Sequence, residues 1–199
     1  MRTVTVTGQG ETRVAPDSAV VRVSAVHRAA GVAEALGGAD SAAVAIATTA
    51  RRYTTPERVG STTLQIWRDH DEQGTPRGFV ARHSLVIRCP DVEAAGGLLT
   101  GLAEAVGERL EIEGVSLEVA DQASATAAAR EAAYADAVDR ATHLATLAGA
   151  SLGDVQEVVE GAGSGVGPAR MAKAVSAAAS FEPGETAIGA SVTVTFQLR

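Results

Sequence analysis

The chain has 199 residues, 46% of them hydrophobic, 21% charged and 3% aromatic, with a formal net charge of −7. No apolar run approaches the ~18 residues of a membrane-spanning helix, and a mean hydropathy of +0.10 excludes wholesale disorder. One cysteine, Cys89, excludes a disulfide framework and a cysteine-cluster metal site; an acidic chain with one lysine, Lys173, lacks the basic footprint of a nucleic-acid binder.

Thr3-Val4-Thr5-Val6-Thr7 opens a strand over 3–14 by its period of two. This start has no continuous apolar segment and no small-residue cleavage site, so it reads as cytoplasmic, without a secretory signal. Ala15-Pro16-Asp17 is a turn. Residues 18–29 form a second strand, with Ala19, Val21, Val23 and Ala25 on one face and Arg22 and Ser24 on the other. A tight turn between two such strands predicts an antiparallel hairpin. Residues 31–53 switch to a helical period through Val32, Leu36, Ala39, Ala43, Ile46 and Ala50. Gly37-Gly38 weakens this helix and predicts a break or kink there.

Residues 61–73 and 77–89 read as a long β-hairpin turning at Gly74-Thr75-Pro76, each arm spanning roughly 43 Å. Asp91 is the expected N-cap of a helix ending before Gly107. Residues 109–120 return to strand, and the apolar phase changes at Gly114, the sign of a β-bulge. Asp121 caps the longest helix, 122–148, about 40 Å long, with a broad face of small residues from Ala125 to Ala148. Its length matches the hairpin arms, so the helix is expected to lie along that hairpin. On its exposed side Asp136 and Arg140 can pair one turn apart. Residues 152–160 are a strand, 161–183 a Gly/Ala-rich loop with room for a short helix, and 186–198 a last strand. The order ββαββαβαββ argues an α+β fold of antiparallel β-hairpins with packed helices, one elongated domain over 1–199.

Chemical constellations are sparse. Asp69-His70-Asp71-Glu72-Gln73-Gly74 begins like a calcium loop, but Val80 stands where a bidentate glutamate is needed, so the stretch reads as a solvated hairpin tip. His27, His70, His83 and His143 lack the spacing of a metal motif; His83 reads as a satisfied core histidine and His143 as interfacial. Gly8-Gln9-Gly10 lacks the third glycine and following helix of a dinucleotide fingerprint. Cys89 reads as a small core residue, and Glu111 and Glu113 as a solvent-facing pair. The 161–167 glycine run is either a flexible loop or an anion cradle, the latter using Gly163, Gly165, Arg170 and Lys173. Trp67, Tyr53 and Phe79 are core residues or interface anchors. No catalytic or metal residue is assigned, and no cofactor.

The opening Val6-Thr7-Gly8-Gln9-Gly10-Glu11 with Pro16-Asp17-Ser18-Ala19-Val20-Val21 resembles the start of a SIMPL-domain protein. Gly78-Phe79-Val80-Ala81, Asp91 to Gly96, Ala129-Arg130-Glu131-Ala132-Ala133, Ala137 to Gly153, Phe181 to Glu185 and Val192 to Phe196 follow in matching order. The resemblance implies an α+β fold and a family without established activity or cofactor. Its bacterial members include periplasmic and outer-membrane immunogenic proteins, some linked to oxidative-stress defence, and ring-like or channel-like oligomers occur in it. The expected function is a non-enzymatic, self-associating interaction module: a homo-oligomer with an unnamed protein partner, binding no nucleic acid and carrying no transmembrane segment. The alternative is a small-molecule or anion binder, or an enzyme, using the 161–183 loop.

Overall fold

A computed structural model describes residues 2–161 and 184–199. The elements are β1 (Thr3–Val14), β2 (Ser18–Ala29), α1 (Val32–Ala50), β3 (Val59–His70), β4 (Pro76–Cys89), α2 (Val92–Val106), β5 (Leu110–Glu118), α3 (Gln122–Leu147), β6 (Leu152–Glu160) and β7 (Thr186–Leu198). This is the ββαββαβαββ order that the periodicities predict, in two antiparallel sheets. Contacts divide the described residues into two compact units: residues 2–16, 119–161 and 184–199, and residues 17–118. None of the described helices is long and apolar enough to cross a membrane.

The first unit is a three-stranded sheet, β1-β7-β6, carrying α3. The expected β1–β2 hairpin does not form. β1 instead pairs along its whole length with β7, from Thr3↔Gln197 to Val14↔Thr186. Pro16 cannot donate a backbone hydrogen bond, and the next amide, Asp17 N–H, donates to the Glu118 carbonyl at 3.1 Å. The turn thereby delivers β2 into the other sheet, between β4 and β5.

The long helix also differs from expectation: α3 lies on β1 and β7, not along the β3–β4 hairpin. Gly8 and Gly10 are the reason. A Cβ at Gly8 would sit 2.1 Å from the Ala133 carbonyl oxygen, and one at Gly10 2.1 Å from that of Ala129. Without side chains at these positions, the helix backbone rests directly on the strand. Its buried stripe is correspondingly narrow: Ala125, Ala129, Ala133, Ala137, Ala141 and Ala145, every fourth residue. Ala128, Ala132, Leu144 and Ala148, expected on the broad face, are exposed. Ala129, Ala133, Ala137 and Ala141 pack on Val6, Ala190, Val192, Val194 and Phe196.

The second unit is a four-stranded sheet in the order β3-β4-β2-β5, with α1 and α2 on one face. Val21, Val23, Leu85, Ile87 and Cys89 meet Ile46, Leu98 and Leu102 in its core. α1 runs unbroken through Gly37-Gly38, and the His27 ring packs 2.0 Å from where a Gly38 Cβ would sit, so glycine is needed there. It ends at Ala50, short of the expected 53, and the Tyr53 ring lies against Gly97 and Gly101 of α2. The Asp91 and Asp121 carboxylates accept backbone N–H bonds at the starts of α2 and α3, as expected.

These glycines predict opposite outcomes. Gly10→Val drives a branched side chain into the α3 backbone and should cost about 3 kcal/mol or more. Gly37→Ala, at an exposed helical position with nothing within 4 Å, should add up to about 1 kcal/mol. Urea unfolding measures both.

Candidate functional site

The β2 face opposite the helices carries a polar cluster. Ser24 is fully buried there. Its Oγ lies 2.7 Å from Ser84 Oγ and donates a hydrogen bond to the Glu113 carboxylate. The β2–β5 register shifts between Arg22 and Val23, whose partners are Gly114 and Ile112, so Glu113 is the extra residue of a bulge. Bulges re-aim side chains, and this one turns Glu113 toward the serines. Arg82 bonds Glu111 at 2.5 Å and lies 3.5 Å from Glu113. Of the two glutamates expected to face solvent, Glu113 is exposed and Glu111 half-buried, and both lie against Arg82. A serine beside a carboxylate is the beginning of a nucleophile–base arrangement. Burial closes Ser24 to any substrate, and Arg82 holds both carboxylates. The cluster braces β4 to β5 across β2.

The other sequence candidates stay apart. Cys89 is a core residue, as expected, and burial, then Asp91, pushes its thiol up to about 11. His83 Nε2 lies 2.8 Å from Ser61 Oγ, while its buried Nδ1 has no partner among the described residues, so the expected satisfied histidine is half satisfied. His143 is exposed on α3. At the hairpin tip Asp71 Oδ1 accepts the Gln73 and Thr75 amides, and Asp69 pairs with Arg28 at 3.8 Å. Asp71 thus closes the hairpin turn, while Asp69 ties β3 to β2. Among the described residues, no three His, Cys, Asp or Glu are grouped to hold a metal ion. Gly163, Gly165, Arg170 and Lys173 lie outside the described residues.

What sequence reasoning missed is the treatment of the sheet edges. An edge strand offers unpaired N–H and C=O groups to another chain. β1 is an edge, but α3 closes its middle: Gln9 N–H donates to Asp136 at 2.9 Å, and Arg140 donates to the Thr7 carbonyl at 3.0 Å. Asp136 and Arg140 also pair with each other, as their spacing predicts. The Gln9 amide, and after it Arg140, hold the Asp136 carboxyl below the usual carboxylate range. β5 is short, bulged and acidic, with Glu111, Glu113 and Glu118. β3 and β6 carry no comparable cover among the described residues. On β3, Leu64 is 57% exposed and Trp67 42%; on β6, Val158 is 53% exposed and Val159 49%. Beside β6, an open groove of about 450 Å³ is lined by Arg130, Glu131, Tyr134, Val158, Glu160 and Val192. An Arg130–Glu160 bond of 2.6 Å crosses from α3 to β6.

Two substitutions separate brace from edge cover. Arg82→Met removes the cation between two glutamates and should cost roughly 2 kcal/mol, partly recovered by adding Glu113→Gln. Asp136→Asn tests the cover through pH. An unfolded aspartate titrates near ~3.9, and the folded one lower, so its stabilising contribution is present above that value and is lost as pH falls through the folded pKa. The stability gap between wild type and Asp136→Asn should therefore narrow below about pH 4, as acid-dependent urea melts would show.

No curated protein matches the chain. The SIMPL family, described as a protein of unknown function (DUF541), matches residues 4–196. That span takes in the glycines beneath α3, the Arg82 brace and both uncovered edges, and the chain belongs to the SIMPL family.

Proposed function

We propose that the protein is a non-enzymatic, self-associating interaction module, with stress defence, implied by the family resemblance, as its setting. One observation carries this reading: β3 and β6 present apolar side chains along strand edges that no described residue covers. An edge of this kind gains both main-chain hydrogen bonds and apolar burial from an added strand. The contrast with β1 sharpens the point, because there two side chains of α3 occupy outward backbone groups in the middle of the strand, the Gln9 N–H and the Thr7 carbonyl. The polar brace at Ser24 and the neutral, buried Cys89 thiol contribute to packing in this reading and carry no chemistry.

Light scattering behind size exclusion tests it. The expected result is a mass at a multiple of the protomer, rising toward a plateau with concentration; a strict monomer at high concentration would overturn the reading.

A further inference from the structure

We infer that the β6 edge docks an extended segment of another protein, one in which two apolar residues stand between two basic ones. The inference rests on the reading of β6 as an interaction edge and does not require copies of this chain to associate.

The backbone of β6 supplies one half of the site. Gly161 N–H donates to the Ser191 carbonyl at 2.9 Å, and the register from Glu157 to Glu160 is unshifted. In an antiparallel ladder, residues that bond the neighbouring strand alternate with residues that face away from it. Glu157, Val159 and Gly161 therefore turn their backbone groups toward β7, while Val158 and Glu160 present N–H and C=O to the outside. An added strand pairs there through its main chain.

The side chains supply the other half. Val158 and Glu160 stand opposite Val194 and Val192, on the sheet face that packs against α3. Glu157 and Val159 stand opposite Thr195 and Thr193, on the other face. α3 lies mainly on β1 and β7, which leaves the groove of about 450 Å³ between itself and β6. Arg130 bonds Glu160 across that groove. Tyr134 lies one helical turn beyond Arg130, and Val158 two strand residues back from Glu160, steps of about 6 Å each. Tyr134 and Val158 are thus level with each other, and both are exposed to the groove.

Charge decides what fits. Asp154 is bonded to Arg199 and Glu160 to Arg130, but Glu157 and Glu131 have no ion-pair partner among the described residues. Glu131, next to Arg130, also lines the groove. Along a strand running antiparallel to β6, the residue opposite Glu160 is basic and reaches Glu131. The next is apolar and lies on Val159; the third is apolar and enters the groove between Val158 and Tyr134; the fourth is basic and meets Glu157. Opposite charges across a strand pair stabilise it and like charges oppose it. The edge therefore rejects an acidic strand, including a second β6 with its Asp154, Glu157 and Glu160.

Fluorescence anisotropy tests the site on the full chain, with labelled Ser-Thr-Lys-Val-Val-Lys-Thr-Ser as the probe. The expected result is saturable binding, weakened about tenfold by Glu157→Lys and recovered on that variant by a peptide with glutamate in place of its second lysine. Val158→Pro removes an outward donor, which an edge strand tolerates, and should abolish binding with the circular dichroism spectrum unchanged. A wild type that does not bind, or undiminished binding by Glu157→Lys, would overturn the proposal. So would equal binding of the reordered peptide Ser-Thr-Val-Lys-Lys-Val-Thr-Ser, the mark of simple attraction to an acidic chain. Binding that requires Arg170→Glu and Lys173→Glu would give the edge to this chain's own Arg170-Met171-Ala172-Lys173 and overturn it too. Light scattering on the same samples separates the two readings. A monomer that binds the probe overturns self-association and supports this site; an oligomer that does not bind it overturns this site alone.

Discussion

The contact on which the first unit depends is a helix backbone lying on a strand backbone. Gly8 and Gly10 leave no Cβ between β1 and α3, and the carbonyls of Ala129 and Ala133 occupy that space. Close packing of this kind has little slack, because interiors are filled to crystal-like density. It requires a helix face of alanine at every fourth position, and α3 supplies six. It also sets the polar chemistry beside it. Only at this short distance can Asp136 and Arg140 reach the backbone of β1 at Gln9 and Thr7. The glycines, the alanine stripe and the closed edge are one device.

The second unit follows a different rule. Its two helices stand off the sheet on Ile46, Leu98 and Leu102, over Val21, Val23, Leu85 and Ile87. Its polar face is held by one arginine between two glutamates, beside the buried Ser24 and the half-buried Ser84. A sheet braced in this way keeps β5 in place by side chains as well as by backbone. β3, at the other margin, has a single strand neighbour and long exposure on both faces.

Much of the fold was legible because strand and helix periods are local properties. Val4 and Val6, Ile188 to Leu198, and the aspartates at 91 and 121 announced their elements, and the order of ten elements followed. Partnership was less legible. Thr5 and Thr195 share a hydrogen bond across 190 positions, and no turn signal near Pro16 carries that information. Gly8-x-Gly10 lacks the third glycine of a nucleotide motif. Two glycines on one face of a strand, in a chain with alanine at every fourth helical position, were the signal for close packing. Asp136 and Arg140 were legible as a pair, but their bonds to β1 depend on tertiary distance. The uncovered edges were hidden for a similar reason: whether a strand is central or marginal depends on its neighbours.

The connectivity has a consequence for how the chain acquires its structure. Residues 17–118 are continuous, so their unit contains all its strands and both its helices soon after they are synthesised. The other unit needs β1 from before that segment and β7 from after it. Domains fold during synthesis as their segments emerge, and contacts between distant segments form slowly. β1 must therefore wait, strand-prone and unpaired by β7, until the intervening segments and β7 itself have been made. Its threonines at 3, 5 and 7 keep one of its sides polar through that interval, which limits premature association of the newborn chain.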